Sequence, residues 1–244
     1  MVTHVFFLIL FSVVGGAIVN LVADALPTGY SLRQCWHWPF AQLPGNLFGR
    51  LGGVNDPAPP HRLRHLLVYC ATLLLSWFAY LHYAGSWQTM VLAVQAWFFL
   101  AVAVIDLEHR LVLNRMLLAG LPIILLSNTL LGLPTLTSAL LGGFAGFSFF
   151  LLLALLAPGA MGMGDVKLAG FIGLTTGLAG VVSALLIGIL AGGIGGLAVL
   201  IGNRFRRGKT MAYAPFLVLG VWVVLYDFFL VDLIRLLQLY MERL

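Results

Sequence analysis

Runs of apolar residues long enough to cross a bilayer recur along this chain. The stretch from Val5 to Leu26 carries one charged residue, Asp24, and about 20 such residues cross the hydrocarbon core as a helix. Inside lipid every backbone N–H and C=O must find a partner within the protein, which leaves helices and closed barrels. A barrel would show segments of about ten residues with alternating polarity, and none is visible. Only 9% of the 244 residues are charged, against about 25% in a soluble domain. The sequence therefore predicts an all-α, polytopic integral membrane helical bundle.

Gly, Pro and charge divide the apolar runs into eight predicted spans: 5–26, 65–84, 87–107, 112–131, 135–157, 165–178, 180–202 and 212–234. The sixth parts from the seventh only at Thr175-Thr176-Gly177. The first span lacks a basic start and a small-residue cleavage site, so it reads as a retained helix rather than a signal peptide. The expected organisation is a first helix (1–26), a cytoplasmic loop or small cap (27–64) and a membrane core of seven further helices (65–244).

The loops divide by charge. Arg33, Arg50, Arg62 and Arg64 fall in 27–64, Arg110 and Arg115 in 107–115, and Arg204, Arg206, Arg207 and Lys209 in 203–211. The turns near Gly85, Gly132 and Gly177 carry no charge. Eight alternating spans put every basic loop on one side, which the positive-inside rule makes cytoplasmic, with both termini outside. The net charge of +5 is then a topology signal. The Arg204–Lys209 cluster is expected to touch anionic lipid, not nucleic acid. The tryptophans suit interfacial anchoring or helix packing.

Small-residue spacings (Gly142 with Gly146, Gly173 with Gly177, and Gly188, Gly192, Gly196) let helix backbones approach closely in lipid. Tight packing within one chain is the favoured reading, and a homodimer interface the alternative. Cys35 and Cys70 support neither a disulfide framework nor a four-cysteine metal site. Cys35 is the one loop cysteine, with His37 beside it, so no zinc is expected; the alternative is His61 and His65, at four-residue spacing, ligating a metal with Cys35.

Ionisable residues within or beside a span are costly and are functional candidates by default. They are Asp24, Asp106, Asp165, Lys167, Asp227 and Asp232. Asp106 ends the third span and Asp165 opens the sixth, both on the predicted cytoplasmic side, so carboxylates from different helices can face each other. Such a pair shares one proton and is the minimum for water-mediated peptide hydrolysis. Gly162 and Gly164 would let an extended substrate backbone approach Asp165; Lys167 would hold substrate or lipid phosphate or, the favoured reading, snorkel to the cytoplasmic interface. The blander readings are Asp165 as a helix cap and Asp106 paired with Arg110. Asn20 and Asp24 read as packing residues ahead of site-lining ones.

Gly162–Gly170, reading GMGDVKLAG, resembles the second aspartate motif of the type IV prepilin peptidases, within the Gly-x-Gly-Asp membrane aspartic proteases. Ala103-Val104-Ile105-Asp106-Leu107 is similar to that family's first aspartate motif. Gly15-Gly16-Ala17-Ile18-Val19-Asn20 with Leu26-Pro27 resembles its opening, and Ala214-Pro215-Phe216-Leu217-Val218-Leu219-Gly220 its signature in the last span. The resemblance implies an aspartic endopeptidase of the inner membrane using Asp106 and Asp165. Its substrates would be prepilins or pseudopilins, cut at the cytoplasmic face to remove the leader. The chain departs from the pattern in lacking the two Cys-x-x-Cys pairs that bind zinc and the Pro-Asp expected near Leu113-Asn114. The family's second activity, N-methylation with S-adenosylmethionine, has no identifiable residues here.

Two other classes compete. A non-catalytic pilin-binding assembly factor would explain the eroded loop, but both aspartates are present. A small-solute or lipid transporter would place its acidic pair near mid-membrane within an internal repeat, and neither is visible.

Overall fold

The structure is a computed structural model that describes residues 2–28, 62–83, 85–132, 134–157, 161–202 and 212–226. The predicted loop or cap 27–64 apart from its ends, the Arg204–Lys209 cluster, Cys35, His37, His61, Asp227, Asp232 and residues 227–244 lie outside the described residues.

Every described element is helical: α1 (Val2–Thr28), α2 (Arg62–Tyr83), α3 (Trp87–His109), α4 (Asn114–Leu131), α5 (Leu136–Leu156), α6 (Met163–Gly202) and α7 (Ala214–Leu225). The first six are long and apolar enough to cross a membrane. Large apolar side chains such as Phe6, Leu118 and Phe144 are exposed, as expected where the surrounding solvent is lipid and not water. The chain is a polytopic helical membrane protein. It divides into two compact units, Met1–Ala101 and Val102–Leu244.

In the first unit α1 packs on α2. Gly15 gives its Cβ space to the Trp97 ring, and Gly16 gives its space to Tyr69. The Trp97 ring also stacks at a tilt on Phe11, 4.7 Å between centroids, and its Nε1 donates to Thr72 O at 3.4 Å. Asp24 forms an ion pair with Arg64, and His65 Nε2 stands 2.9 Å from the same guanidinium. Asp24 is thus neutralised locally, as a carboxylate in a span must be.

In the second unit the main event is a reversal inside α6. Gly177 has φ 70° and ψ −178°, a left-handed φ that favours glycine. A Cβ on Gly146 would lie 2.5 Å from Ala169 O and 3.1 Å from Val181 Cγ2. In an unbroken helix Ala169 and Val181 would stand about 18 Å apart, so both can meet one residue of α5 only if α6 folds back at Gly177. The two arms of α6 correspond to the sixth and seventh predicted spans, and α7, with 12 described residues, lies within the eighth.

At the break, side chains take up two backbone groups, Leu174 C=O and Leu178 N–H. Asn128 Nδ2 donates to Leu174 O at 2.9 Å, and Leu178 N donates to Ser138 Oγ at 3.1 Å.

The glycine spacings read from the sequence are packing devices within this unit. A Cβ on Gly142 would fall 2.5 Å from Gly177 C and 2.6 Å from Gly173 O, so α5 and the first arm touch backbone to backbone. The second arm runs antiparallel to α7. A Cβ on Gly188 would meet Leu217, one on Gly192 would meet the Tyr213 ring, and one on Gly220 would meet Ala184 O.

Candidate functional site

The reversal at Gly177 determines where α7 starts. Asp165 lies about 18 Å along the helix before the break and Gly192 about 22 Å after it. The second arm therefore returns to the level from which the first set out. Tyr213 packs on Gly192, which brings the N-terminus of α7 to the same end of the unit as Asp165.

Asp106 arrives there from the last turns of α3. It is 4% exposed, and its Oδ2 accepts a hydrogen bond from the Ala214 backbone N–H at 3.0 Å. The Tyr213 backbone amide also points at this carboxylate. Asp106 therefore sits on the N-terminus of α7, where the unpaired N–H groups and the helix dipole favour a negative charge. Pro215 occupies an early position of that helix, where its missing N–H costs nothing. Just beyond Asp106 the chain leaves α3. Arg110 takes a left-handed φ of 53° and its N–H closes on Asp106 O at 2.8 Å.

Asp165 is the third residue of α6. Its N–H donates to Gly162 O at 3.0 Å, and its carboxylate lies against the Gly162 backbone amide. The arrangement resembles half of a capping box, with an acidic side chain reaching back to the start of its own helix. The capping reading of Asp165 thus describes part of its environment. The Asp165 carboxylate also interacts electrostatically with Asp106 and with Tyr213. Two carboxylates from different helices therefore share one site, each at the N-terminal end of a helix.

The other residues singled out in the sequence are placed differently. Gly162 is exposed beside the Asp165 carboxylate. Gly164 faces Val112 in the link between α3 and α4, where a Cβ would come within 2.9 Å of the valine Cβ. Lys167 donates from Nζ to Asn114 Oδ1 at 2.9 Å, and at about 100° per residue it lies roughly 200° around α6 from Asp165. The structure thus brings together Asp106, Asp165 and Gly162, and sets Lys167 on the opposite face of the helix.

Tyr213 and the Ala214 N–H were not anticipated as parts of the site. The signal available was the adjoining Ala214-Pro215-Phe216 motif, which was noted without a role. Groups of three or more His, Cys, Asp or Glu side chains able to hold a metal are absent among the described residues, and His65 is engaged with Arg64.

Residues 93–197 match the model of the Type IV leader peptidase family. Three similar proteins each carry the name prepilin leader peptidase/N-methyltransferase. The Bacillus subtilis (strain 168) protein is 31% identical over 119 residues, 49% of this chain and 48% of its own length. The Pseudomonas aeruginosa protein is 29% identical over 167 residues, 66% of this chain and 58% of its own. The Aeromonas hydrophila protein is 28% identical over 184 residues, 73% of this chain and 62% of its own. The matches to these relatives thus span roughly half to three fifths of their lengths. No solved structure gives a significant match. Over residues 93–197, the segment that holds both Asp106 and Asp165, the chain is similar to the type IV leader peptidase family.

Proposed function

We propose that this chain is a membrane-embedded aspartic endopeptidase that removes the leader from prepilin or pseudopilin substrates, with Asp106 and Asp165 as its catalytic pair. The observation that carries the reading is the pair itself: two carboxylates on separate helices, near enough for the charge of one to act on the other, one of them held by the Ala214 N–H. The relatives' printed names supply the substrate class.

The proposed chemistry follows from one proton shared by two acids, whose titration belongs to the pair. The ionised carboxyl takes a proton from a water, and the protonated one donates a hydrogen bond to the scissile carbonyl oxygen. The water oxygen bonds to the carbonyl carbon. The C–N bond then breaks as a carboxyl returns a proton to the leaving amine. The N-termini of α6 and α7 hold the single negative charge throughout. Gly162, bare beside Asp165, leaves room for an extended peptide backbone, which the reaction needs because a helical substrate hides its carbonyls. In the proposed orientation the pair opens to the cytoplasm and both termini face outward, as the one-sided basic loops require.

The relatives' name includes N-methyltransferase, an activity that takes S-adenosylmethionine as methyl donor. A cavity of about 580 Å³ among the described residues is lined almost wholly by apolar side chains and does not fit a polar, cationic adenosyl donor. We therefore derive no methyl transfer.

The test is leader cleavage of a pilin-like substrate in membranes, with variants at matched abundance. Asp106→Asn and Asp165→Asn keep shape but cannot exchange the proton. Each is expected to lose at least a hundredfold in rate, the scale of general acid–base catalysis. Near-native cleavage by either variant would sink the assignment.

A further inference from the structure

We propose that the groove between α4, α5 and the first arm of α6 binds one anionic glycerophospholipid, with its phosphate at Lys167 and an acyl chain along the apolar floor. The groove encloses about 580 Å³, inside the range of about 300–1,000 Å³ for small-molecule pockets. Leu117, Leu121, Leu140, Phe144 and Phe147 line its length. The polar lining is the pair at one end, Lys167 and Asn114.

Both polar residues stand near the starts of their helices, Asn114 at the first position of α4 and Lys167 at the fifth of α6. They therefore lie near the membrane boundary, where lipid headgroups reside. Lys167 gives its hydrogen bond to a neutral amide oxygen, so its charge is uncompensated among the described residues. A cation at the headgroup level above an apolar trough complements a molecule with an anionic head and a hydrocarbon tail.

The same geometry argues against a substrate helix as the occupant. Lys167, Gly170, Phe171 and Leu174 lie between roughly 140° and 240° around α6 from Asp165. A peptide seated in the groove would have the helix between itself and the carboxylates. The groove thus belongs to the lipid-facing side, and this inference stands independently of the peptidase reading.

Native mass spectrometry after delipidation in mild detergent, followed by titration with phosphatidylglycerol or phosphatidylcholine, tests the site. The wild type should retain one phosphatidylglycerol per chain. Lys167→Gln should weaken its retention about fivefold, the worth of one lysine at an anionic surface. Leu140→Trp, which fills the trough, should abolish retention, while Ile194→Trp, on the exposed face of the second arm, should not change it. If Leu140→Trp does not fold, the Lys167→Gln effect and a preference for phosphatidylglycerol over phosphatidylcholine decide the matter. Equal retention by all variants, an equal loss in Ile194→Trp, or a photo-cross-link from Leu140 to a peptide or a second copy would each overturn the proposal.

Discussion

The reversal at Gly177 should make Asn128 one of the most sensitive polar residues of the second unit. Asn128 is 5% exposed and supplies the hydrogen bond that Leu174 C=O loses when the helix breaks. Asn128→Leu keeps the approximate shape and removes the donor. An orphaned buried carbonyl costs about 1–3 kcal/mol. Side-chain hydrogen bonds between membrane helices average only about 0.6 kcal/mol, because the separated helices find other partners. Here the dissociated chain has an especially good alternative, since a straightened α6 re-forms its own Leu174–Leu178 bond. Removing Asn128 therefore favours the straight, unassembled helix, and the loss should approach the upper membrane value of about 1.7 kcal/mol. Ser138→Ala removes the partner of the Leu178 N–H at an exposed position, where water at the turn can substitute, so about 0.5 kcal/mol is expected. Reversible unfolding in mixed micelles, followed by tryptophan fluorescence, would measure both. An equal or larger loss for Ser138→Ala, or a loss under about 0.3 kcal/mol for Asn128→Leu, would refute the argument that the break is held chiefly by α4.

A pair of glycine substitutions should move stability in opposite directions. Gly142→Ala drives a methyl into the backbone of Gly173 and Gly177, which no rotamer can relieve, and should cost about 1–3 kcal/mol as an overpacked contact. Gly193→Ala meets nothing within 4 Å and should be neutral or stabilising by up to about 1 kcal/mol through helix propensity; thermal melts in one detergent would show whether the signs differ. The orientation is checked by cysteine accessibility in intact cells. Residues near Gly85 and Gly132 should label from outside, and labelling of either on the side of Arg206 would overturn the topology.

Much of this could be read from the sequence because hydropathy reports directly on what lipid permits. The spans follow from apolar length, and Asp106 and Asp165 are conspicuous because few charges are tolerated beside a span. Even the separation of the two arms of α6 was visible in Thr175-Thr176-Gly177, since a left-handed turn there calls for glycine. What stayed hidden depends on rotation and on backbone groups. Lys167 is two residues from Asp165 in sequence, yet a helix turns that short distance into opposite faces. Gly164 was read as an opening for substrate, whereas its missing side chain makes room for Val112. The partner of Asp106 is a backbone N–H, which any residue but proline would offer, so composition could not single it out.

The hidden partner of Asp106 has its cause in the fold-back. An N–H at the start of α7 can reach Asp106 only because the second arm of α6 retraces the first. That retracing depends on a glycine at position 177 and on side-chain partners for Leu174 C=O and Leu178 N–H. Substitutions at Asn128 or Gly142 should consequently displace Tyr213 and Ala214 from the acid pair, even though neither residue is near a carboxylate in sequence. The site is thus a product of the fold-back more than of the local motifs around each aspartate. A chain that kept both motifs and lost the break at Gly177 would carry the two carboxylates without the helix end that holds Asp106.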